Sequence, residues 1–221
     1  MSFSRGRSDK CRWSVPTRRR TFHDVTQPKR ILINVSIAAL VLSGTSGVQA
    51  AGKSKAACAG QSATIVSSSA VIYGTDSNDV IVVTGTGKHT VQALDGDDII
   101  CGGRGIDIIY GGHGNDRIDG RGGNDVLSGD LGDDVMIGNN GNDAMMGGDG
   151  RDYMFGLNGD DEMTGDAGDD VMFGGNGDDR IAGSSGIDLI IGGTGTDDLV
   201  IEAGIDIVFD PNPVGFAFRA K

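Results

Sequence analysis

The chain has 221 residues, of which 39 are glycine and only 11 are aromatic, and its 31 acidic and 19 basic side chains give a net charge of −12. This charge argues against nucleic acid as a partner, because nucleic-acid binding needs a basic surface. Many glycines, few aromatic residues and an excess of negative charge predict a chain that is expanded and largely disordered unless a ligand holds it together.

Residues 1–50 are predicted to be a cleaved export signal. Residues 1–30 carry nine Lys or Arg, the apolar run Ile31–Leu42 follows, and Val48-Gln49-Ala50 suits a signal peptidase. The apolar run is short for a permanent transmembrane anchor, so we expect none after cleavage. Twin-arginine export, suggested by Arg19-Arg20, stays open as an alternative to the general route. The remaining chain, with ten basic and 29 acidic side chains, has a net charge of −19 and is predicted to be secreted and extracellular.

Residues 51–73 are predicted to form an N-terminal segment or cap, which is too short to be an enzyme domain. Two degenerate repeat units follow it. Gly74–Val82 has Asp79 at the acidic position, and Thr84–Gln92 has His89 where an aspartate belongs. Degenerate units are expected at the end of a solenoid, where its open core must be capped.

From Asp98 onward an aspartate returns every ninth residue, with a glycine two residues before it and Ile, Leu, Met or Val two residues after it. The thirteen aspartates are Asp98, Asp107, Asp116, Asp125, Asp134, Asp143, Asp152, Asp161, Asp170, Asp179, Asp188, Asp197 and Asp206. A polar glycine-rich linker would not keep such a register. The period predicts a repeat domain over residues 74–209, followed by a C-terminal tail or cap over 210–221.

Each nonapeptide is predicted to be a tight turn of six residues followed by a three-residue strand. Glycines at the first and fourth positions are expected to adopt left-handed backbone angles. The middle side chain of the strand points inward, because side chains alternate along a strand. Two units make one coil, and coils stack as parallel strands. The predicted fold is therefore all-β, a parallel β-roll with two sheets of short strands.

In this geometry the aspartates form two columns, which begin at Asp98 and at Asp107. Carboxylates about 5 Å apart repel by about 0.8 kcal/mol per pair even in water, so a cation is expected between them. Calcium suits such a slot because it takes six to eight oxygen ligands, whereas zinc and copper prefer nitrogen or sulfur. We predict several Ca²⁺ ions, in up to eleven slots, bound by these thirteen aspartates and by Asp79. One slot is expected to be missing at His89.

Other functional sites are not supported by the motifs. An EF-hand needs a Glu at the twelfth position of its loop, and the only glutamates are Glu162 and Glu202. No phosphate-binding loop motif occurs. Paired carboxylates such as Asp97-Asp98 recur with the repeat, which favours a structural role over catalysis. The protein is predicted not to be an enzyme.

Gly102–Tyr110 reads GGRGIDIIY and Gly174–Ala182 reads GGNGDDRIA. Both fit G-G-x-G-x-D-x-U-x, the calcium-binding parallel β-helix repeat, and the chain resembles the repeats-in-toxin (RTX) family over about two thirds of its length. The resemblance implies a secreted protein that folds on binding extracellular Ca²⁺, with a structural, adhesive or interaction role. An accessory module of a secreted hydrolase, epimerase or toxin system is the alternative.

The resemblance also bears on the cysteines. Related secreted repeat proteins often show C…ATIV…ICGG, which here corresponds to Cys58, Ala63–Val66 and Ile100–Gly103. A Cys58–Cys101 disulfide would suit an oxidising compartment, and two free thiols are the alternative.

Two further patterns concern apolar residues. The methionines at five successive inward positions, Met136 to Met172, are interpreted as core, with copper binding as the alternative. Outward positions of one sheet are apolar, which predicts a contact surface for a second copy, for a protein or cell-surface partner, or for the chain's own tail. They are Ile99, Val135, Ile137, Tyr153, Phe155, Val171, Phe173, Leu189, Ile191, Ile207 and Phe209.

Overall fold

The computed structural model describes residues 56–200 and the backbone of 201, 203–204, 207–209 and 219–220. The predicted signal peptide and most of the predicted C-terminal tail lie outside the described residues. The boundaries proposed for them therefore stay predictions.

The described residues form strands and turns, with no helix. In chain order the strands are β1 (Ala57–Cys58), β2 (Gln61–Ser62), β3 (Ile65–Ser67), β4 (Val71–Tyr73), β5 (Val80–Val83), β6 (His89–Asp95), β7 (Ile99–Cys101), β8 (Asp107–His113), β9 (Arg117–Asp119), β10 (Val126–Leu131), β11 (Val135–Asn140), β12 (Ala144–Asp149), β13 (Tyr153–Asn158), β14 (Glu162–Ala167), β15 (Val171–Asn176), β16 (Arg180–Ala182), β17 (Ser185–Gly186), β18 (Leu189–Thr194), β19 (Asp198–Ile201), β20 (Ala203–Gly204), β21 (Ile207–Phe209) and β22 (Arg219–Ala220).

Two parallel sheets face each other across the roll. Sheet I contains β3, β5, β7, β9, β11, β13, β15, β18 and β21, and sheet II contains β4, β6, β8, β10, β12, β14, β16, β17, β19, β20 and β22. Successive strands of the chain alternate between the two sheets along the repeats, so each coil contributes to both. The predicted all-β parallel β-roll is confirmed. Residues before Gly74 also join it, because β3 and β4 pair with β5 and β6.

The register of the sheets follows from the length of a coil. Val135, Tyr153, Val171 and Leu189 are register partners in sheet I, each 18 residues after the last. At the N-terminal end Val80 pairs with Ile99, 19 residues away. This coil is one residue longer because of the extra residue Val83, and β5 still pairs with both β3 and β7.

Most repeat strands are longer than predicted. Strands such as β11 and β13 have six residues instead of three, because they continue across the first glycine of the next unit, and Asn139 still pairs with Leu157 beyond it. The residues after the first glycine therefore take part in the backbone hydrogen bonding of the sheet, and the turn that remains is shorter.

The left-handed residues are at the second and fourth positions, not at the first and fourth as predicted. Gly132, at a fourth position, has φ 133°. Second positions are left-handed even where they are not glycine, as at Leu157 with φ 82° and Asp130 with φ 75°. Glycines at the first position, such as Gly129, do not have a positive φ. Their requirement has another cause, described below.

The core is a single-file stack of the predicted inward residues. Each is 2% exposed or less, and the stack includes all five methionines, as the core interpretation required. The stack runs through Ile100, Ile109, Ile118, Leu127, Met136, Met145, Met154, Met163, Met172, Ile181, Ile190 and Leu199. Because the strands are short and the interior is one residue wide, each coil depends on its neighbours for burial.

A hairpin formed by β1 and β2 covers the first strands of sheet I from outside. Cys58 is buried there with Val80, Val82 and Cys101, and the two cysteines form a disulfide. The pairing implied by the family resemblance is therefore observed. The outer surface of sheet I is thus already a packing surface at its N-terminal end.

The predicted apolar face continues along sheet I beyond this hairpin. Ile137, Phe155, Phe173 and Ile191 are register partners in adjacent strands. Ile137 is 6% exposed, and the other three are half-buried. The described part of the tail, β22, pairs with β19 at the edge of sheet II. No helix in the described residues is long and apolar enough to cross a membrane.

Candidate metal centre

The predicted ligands that the structure describes are all buried, at the turns between the two sheets. Asp79 is 7% exposed, and the twelve repeat aspartates from Asp98 to Asp197 are 3% exposed or less. Asp206 lies outside the described residues. A buried carboxylate is costly unless it has partners, so the partners of each one decide what it can bind.

The carboxylates form two ladders that correspond to the two predicted columns. In each ladder member after the first, Oδ1 accepts a hydrogen bond from the backbone N–H of the ladder aspartate one coil earlier. Asp116 donates to Asp134 at 2.7 Å, and Asp143 donates to Asp161 at 2.8 Å. The first ladder runs through Asp79, Asp98, Asp116, Asp134, Asp152, Asp170 and Asp188. The second runs through Asp107, Asp125, Asp143, Asp161, Asp179 and Asp197.

The other carboxylate oxygen, Oδ2, is buried without a hydrogen-bond partner along both ladders. This holds for Asp98, Asp116, Asp125, Asp134, Asp143, Asp152, Asp161, Asp170 and Asp179. Buried polar atoms are nearly always paired in folded proteins. A regular series of unpaired carboxylate oxygens therefore points to a missing partner of positive charge.

Except at Asp98, whose unit begins with Ala93, the orphaned oxygens face the first glycine of their own nonapeptide. A Cβ on Gly129 would collide with Oδ2 of Asp134 and would lie 2.7 Å from the carbonyl oxygen of Gly147. Around Gly156 the same positions are taken by Oδ2 of Asp161 and the carbonyl oxygen of Gly174. The first glycine is therefore needed because a side chain would fill a cradle lined by oxygen atoms.

The donor set of this cradle suits calcium. Carboxylate and carbonyl oxygens are the ligands that Ca²⁺ takes, in flexible geometry. In the part of the chain that the structure describes, no three His, Cys, Asp or Glu side chains converge on one point. An ion in the cradle would therefore draw several ligands from the backbone, which calcium does readily and which zinc seldom does.

Burial is the main cause of large pKa shifts along the ladders. Burial, opposed by the ladder N–H and assisted by neighbouring carboxylates, raises the pKa of six carboxyls to about 7; these are Asp98, Asp125, Asp134, Asp161, Asp170 and Asp179. Burial likewise raises the pKa of Asp116 and Asp152 to about 6 and that of Asp143 above its usual value. At neutral pH the negative charge of these buried carboxylates is therefore not balanced by a positive group of the protein, and a bound cation would balance it.

Asp79 and Asp107 differ from the other ladder members because both of their carboxylate oxygens have protein partners. The hydroxyl of Thr64 donates to Oδ1 of Asp79 at 2.8 Å, and the N–H of Thr75 donates to Oδ2, also at 2.8 Å. Burial alone would raise the pKa of Asp79, but hydrogen bonds from Thr64 and Thr75 outweigh it and leave that pKa below its usual value. At Asp107, His89 Nδ1 contacts Oδ1 at 2.7 Å and the N–H of Gly103 donates to Oδ2 at 2.6 Å.

The sequence interpretation missed a different set of hydrogen bonds, the fifth-position ladder, which is formed by the residues just before the ladder aspartates. There the side-chain oxygen of Asp or Asn accepts the backbone N–H of the fifth position one coil later. Asp133 Oδ1 accepts from Arg151 at 2.8 Å, and Asn142 Oδ1 accepts from Asp160 at 3.1 Å. The recurrence of Asp or Asn at this position was the signal that could have revealed it. Together, the aspartate ladders and the fifth-position ladder connect the turns to the coils before and after them.

No curated protein matches this sequence. The family model for the RTX calcium-binding nonapeptide repeat matches it in eight overlapping segments that together span residues 73–208, more than half of the chain. The match covers the coils that carry both aspartate ladders. The chain therefore belongs to the family of RTX calcium-binding nonapeptide repeat proteins, as its motifs predicted.

Proposed function

We propose that this protein is secreted, binds several Ca²⁺ ions between its coils and folds when it meets extracellular Ca²⁺, with no enzymatic activity of its own. The observation that carries the proposal is the series of nine buried Oδ2 atoms without partners. Of the predicted ligands, Asp98 and those from Asp116 to Asp206 are proposed to act through this oxygen and through nearby backbone carbonyls. Both oxygens of Asp79 and Asp107 already have protein partners.

Folding and ion binding are coupled because the same carboxylates serve both. Without an ion, each coil buries two carboxylates beside those of neighbouring coils, which opposes folding. If a site binds Ca²⁺ at about 0.1 mM and the medium holds about 1 mM, each ion contributes about 1.4 kcal/mol by mass action. Several such contributions are comparable to the stability of a whole domain. The chain is therefore expected to stay unfolded where calcium is scarce.

Export and a structural role are supported by other features. Residues 1–50 have the charge and apolar pattern of a signal peptide. The Cys58–Cys101 disulfide suits an oxidising compartment. The acidic side chains of the turns recur in every coil, so they support a repeated structural function and not one catalytic centre.

A calcium titration followed by circular dichroism and native mass spectrometry tests the proposal. We expect a cooperative rise in strand content and binding of several ions. Asp143→Asn should lose one ion, because the substitution keeps Oδ1 as a ladder acceptor but removes the charged Oδ2. Asp149→Asn makes the same charge change at an exposed side chain and should keep the full ion count. Equal strand content with and without calcium would reject calcium-driven folding.

We also propose that a second copy of the protein binds the half-buried apolar residues of sheet I. The chain's own hairpin already packs on the N-terminal part of this surface, and the apolar rows continue from it through Phe155, Phe173 and Ile191. Sedimentation in calcium should show a dimer that becomes a monomer on Phe155→Lys and Phe173→Lys. A monomer in both cases would reject self-association and leave another partner as the occupant.

A further inference from the structure

The turns at Asp79 and His89 are closed by protein groups, and of the ladder carboxylates in residues 56–113 only Asp98 has an orphaned oxygen. Asp79 is satisfied by Thr64 and Thr75. In the other column His89 replaces the aspartate. Its Nδ1 lies 2.7 Å from Asp107 Oδ1, and it donates to that oxygen when Nδ1 carries the proton. His89 is 4% exposed and Asp107 is fully buried, so this contact is shielded from water.

Charge divides the chain in the same way. The N-terminal end, defined here as residues 56–113, holds six acidic and two basic side chains in 58 residues. The ladder region, residues 114–201, holds 20 acidic and four basic side chains in 88 residues. The net charges are −4 and −16, so repulsion per residue is much lower at the N-terminal end. From Ala56 to Thr75 there is no charged side chain.

The N-terminal end also has a second apolar layer. Its interior residues, such as Val91 and Ile100, are fully buried. Outside sheet I, the cluster around Cys58 and Val82 covers β5 and β7. The disulfide closes a segment with a sequence separation of 43 residues, which restricts the unfolded chain. The ladder region has the single interior stack but no covering hairpin in the part of the chain that the structure describes.

We propose that the N-terminal end folds without metal and serves as the template on which the calcium-binding coils assemble toward the C-terminus. A coil of the ladder region buries its apolar residue only against a neighbouring coil, so the first one to form needs a preformed edge. Strands β8 and β7 supply that edge, and they pair with β10 and β9. This inference rests on the proposed calcium-dependent folding of the ladder region.

Hydrogen exchange read by mass spectrometry tests the template directly, on the purified chain with its disulfide intact. In calcium-free buffer, peptides covering Val91 and Ile109 should exchange at least about 100-fold more slowly than peptides covering Met145 and Met163. In calcium, both sets should be protected. Equal, fast exchange of both sets in calcium-free buffer would overturn the template.

Substitution of the histidine gives a sharper test. His89→Asp removes the donor to Asp107 and restores an aspartate to the column. The variant should lose protection of β6 and β8 in calcium-free buffer, regain it in calcium, and bind one more ion than the native chain. His113→Asp is the control, because it makes the same change of side chain at an exposed residue whose contact with Asp95 lies at the surface. A His89→Asp variant with unchanged protection and ion count would contradict the inference.

The outcomes separate this inference from the proposed function. If calcium folds the whole chain but the N-terminal end is unprotected without it, the template is rejected and calcium-driven folding stands. If calcium changes neither region, the proposed function itself fails.

Discussion

The N-terminal end and the ladder region share one backbone coil but satisfy their buried carboxylates differently. At the N-terminal end, side chains and backbone groups donate to both oxygens of Asp79 and Asp107. At Asp98, and throughout the ladder region from Asp116 to Asp179, one oxygen of each ladder carboxylate has a backbone donor and the other has none. The same fold is therefore compatible with two ways of neutralising a buried charge.

This difference indicates which part of the nonapeptide makes folding depend on a bound ion. The Oδ1 hydrogen bond is the same in both regions, because the N–H of Asp79 donates to Asp98 as the N–H of Asp116 donates to Asp134. What changes is the partner of Oδ2. The ion requirement, in this view, belongs to one oxygen atom per repeat and to the glycine cradle that it faces.

A change of pH should have the largest effect on the difference between the ladder region and the N-terminal end. The pKa of six ladder carboxyls is raised to about 7, while an unfolded aspartate titrates near 3.9. A carboxyl with a raised folded pKa stabilises the fold below the unfolded pKa, and this stabilisation is lost as pH rises through the folded pKa. In calcium-depleted buffer, strand content should therefore be highest near pH 4 and fall toward pH 7.

With calcium the dependence should reverse, because protons compete with the ion for the same oxygens. Apparent calcium affinity is expected to fall as pH decreases below about 7, where the carboxyls start to take up protons. Circular dichroism from pH 4 to pH 8, with and without calcium, measures both trends. A calcium-free signal that does not change over this range would show that the ladder carboxyls do not control folding.

Loss of the disulfide should weaken the N-terminal end selectively. Closing a loop of about 43 residues is worth about 4 kcal/mol in the chain-entropy model. The double variant Cys58→Ser, Cys101→Ser should lower the free energy of unfolding of this end, measured by urea denaturation in calcium-free buffer. An effect below about 1 kcal/mol would show that the bond does not hold the template.

A methyl group in one cradle should damage the ladder region alone. Gly129→Ala would place Cβ against Oδ2 of Asp134, and we expect the loss of one ion and about 2–3 kcal/mol of stability in calcium. Gly122→Ala is the matched control, because its Cβ would lie 3.9 Å from the nearest atom, the carbonyl oxygen of Asn140. Equal ion counts and equal melting temperatures for the two variants would argue against the cradle.

The fifth-position ladder should have the smallest effect. Asn142→Ala removes one acceptor, which takes the N–H of Asp160 at 3.1 Å at an exposed site. We expect a cost of about 0.5–1 kcal/mol and no change in ion count. Thermal unfolding in calcium, compared with Asp149→Ala, measures it. A lost ion would instead make Asn142 part of the metal site.

The sequence predicted the fold and the aspartate columns well, because both follow from a strict nine-residue period. The inward position of Met154 and the burial of Asp134 needed only that period and the alternation of a strand. The reason for the first glycine could not be read in this way, since it depends on where Oδ2 of the aspartate five residues later comes to lie. The donors to Asp79 were also hidden, because Thr64 is 15 residues away and reaches it only in the folded coil.

A crystal structure grown in millimolar calcium, with anomalous scattering to identify the ions, tests the central claim most directly. We predict an ion in the cradle between Oδ2 of Asp134 and the carbonyl oxygen of Gly147, and in the corresponding cradles along both ladders. The turn at Asp79 should hold no ion. An intact roll whose ladder cradles contain only water, or nothing, would contradict the account.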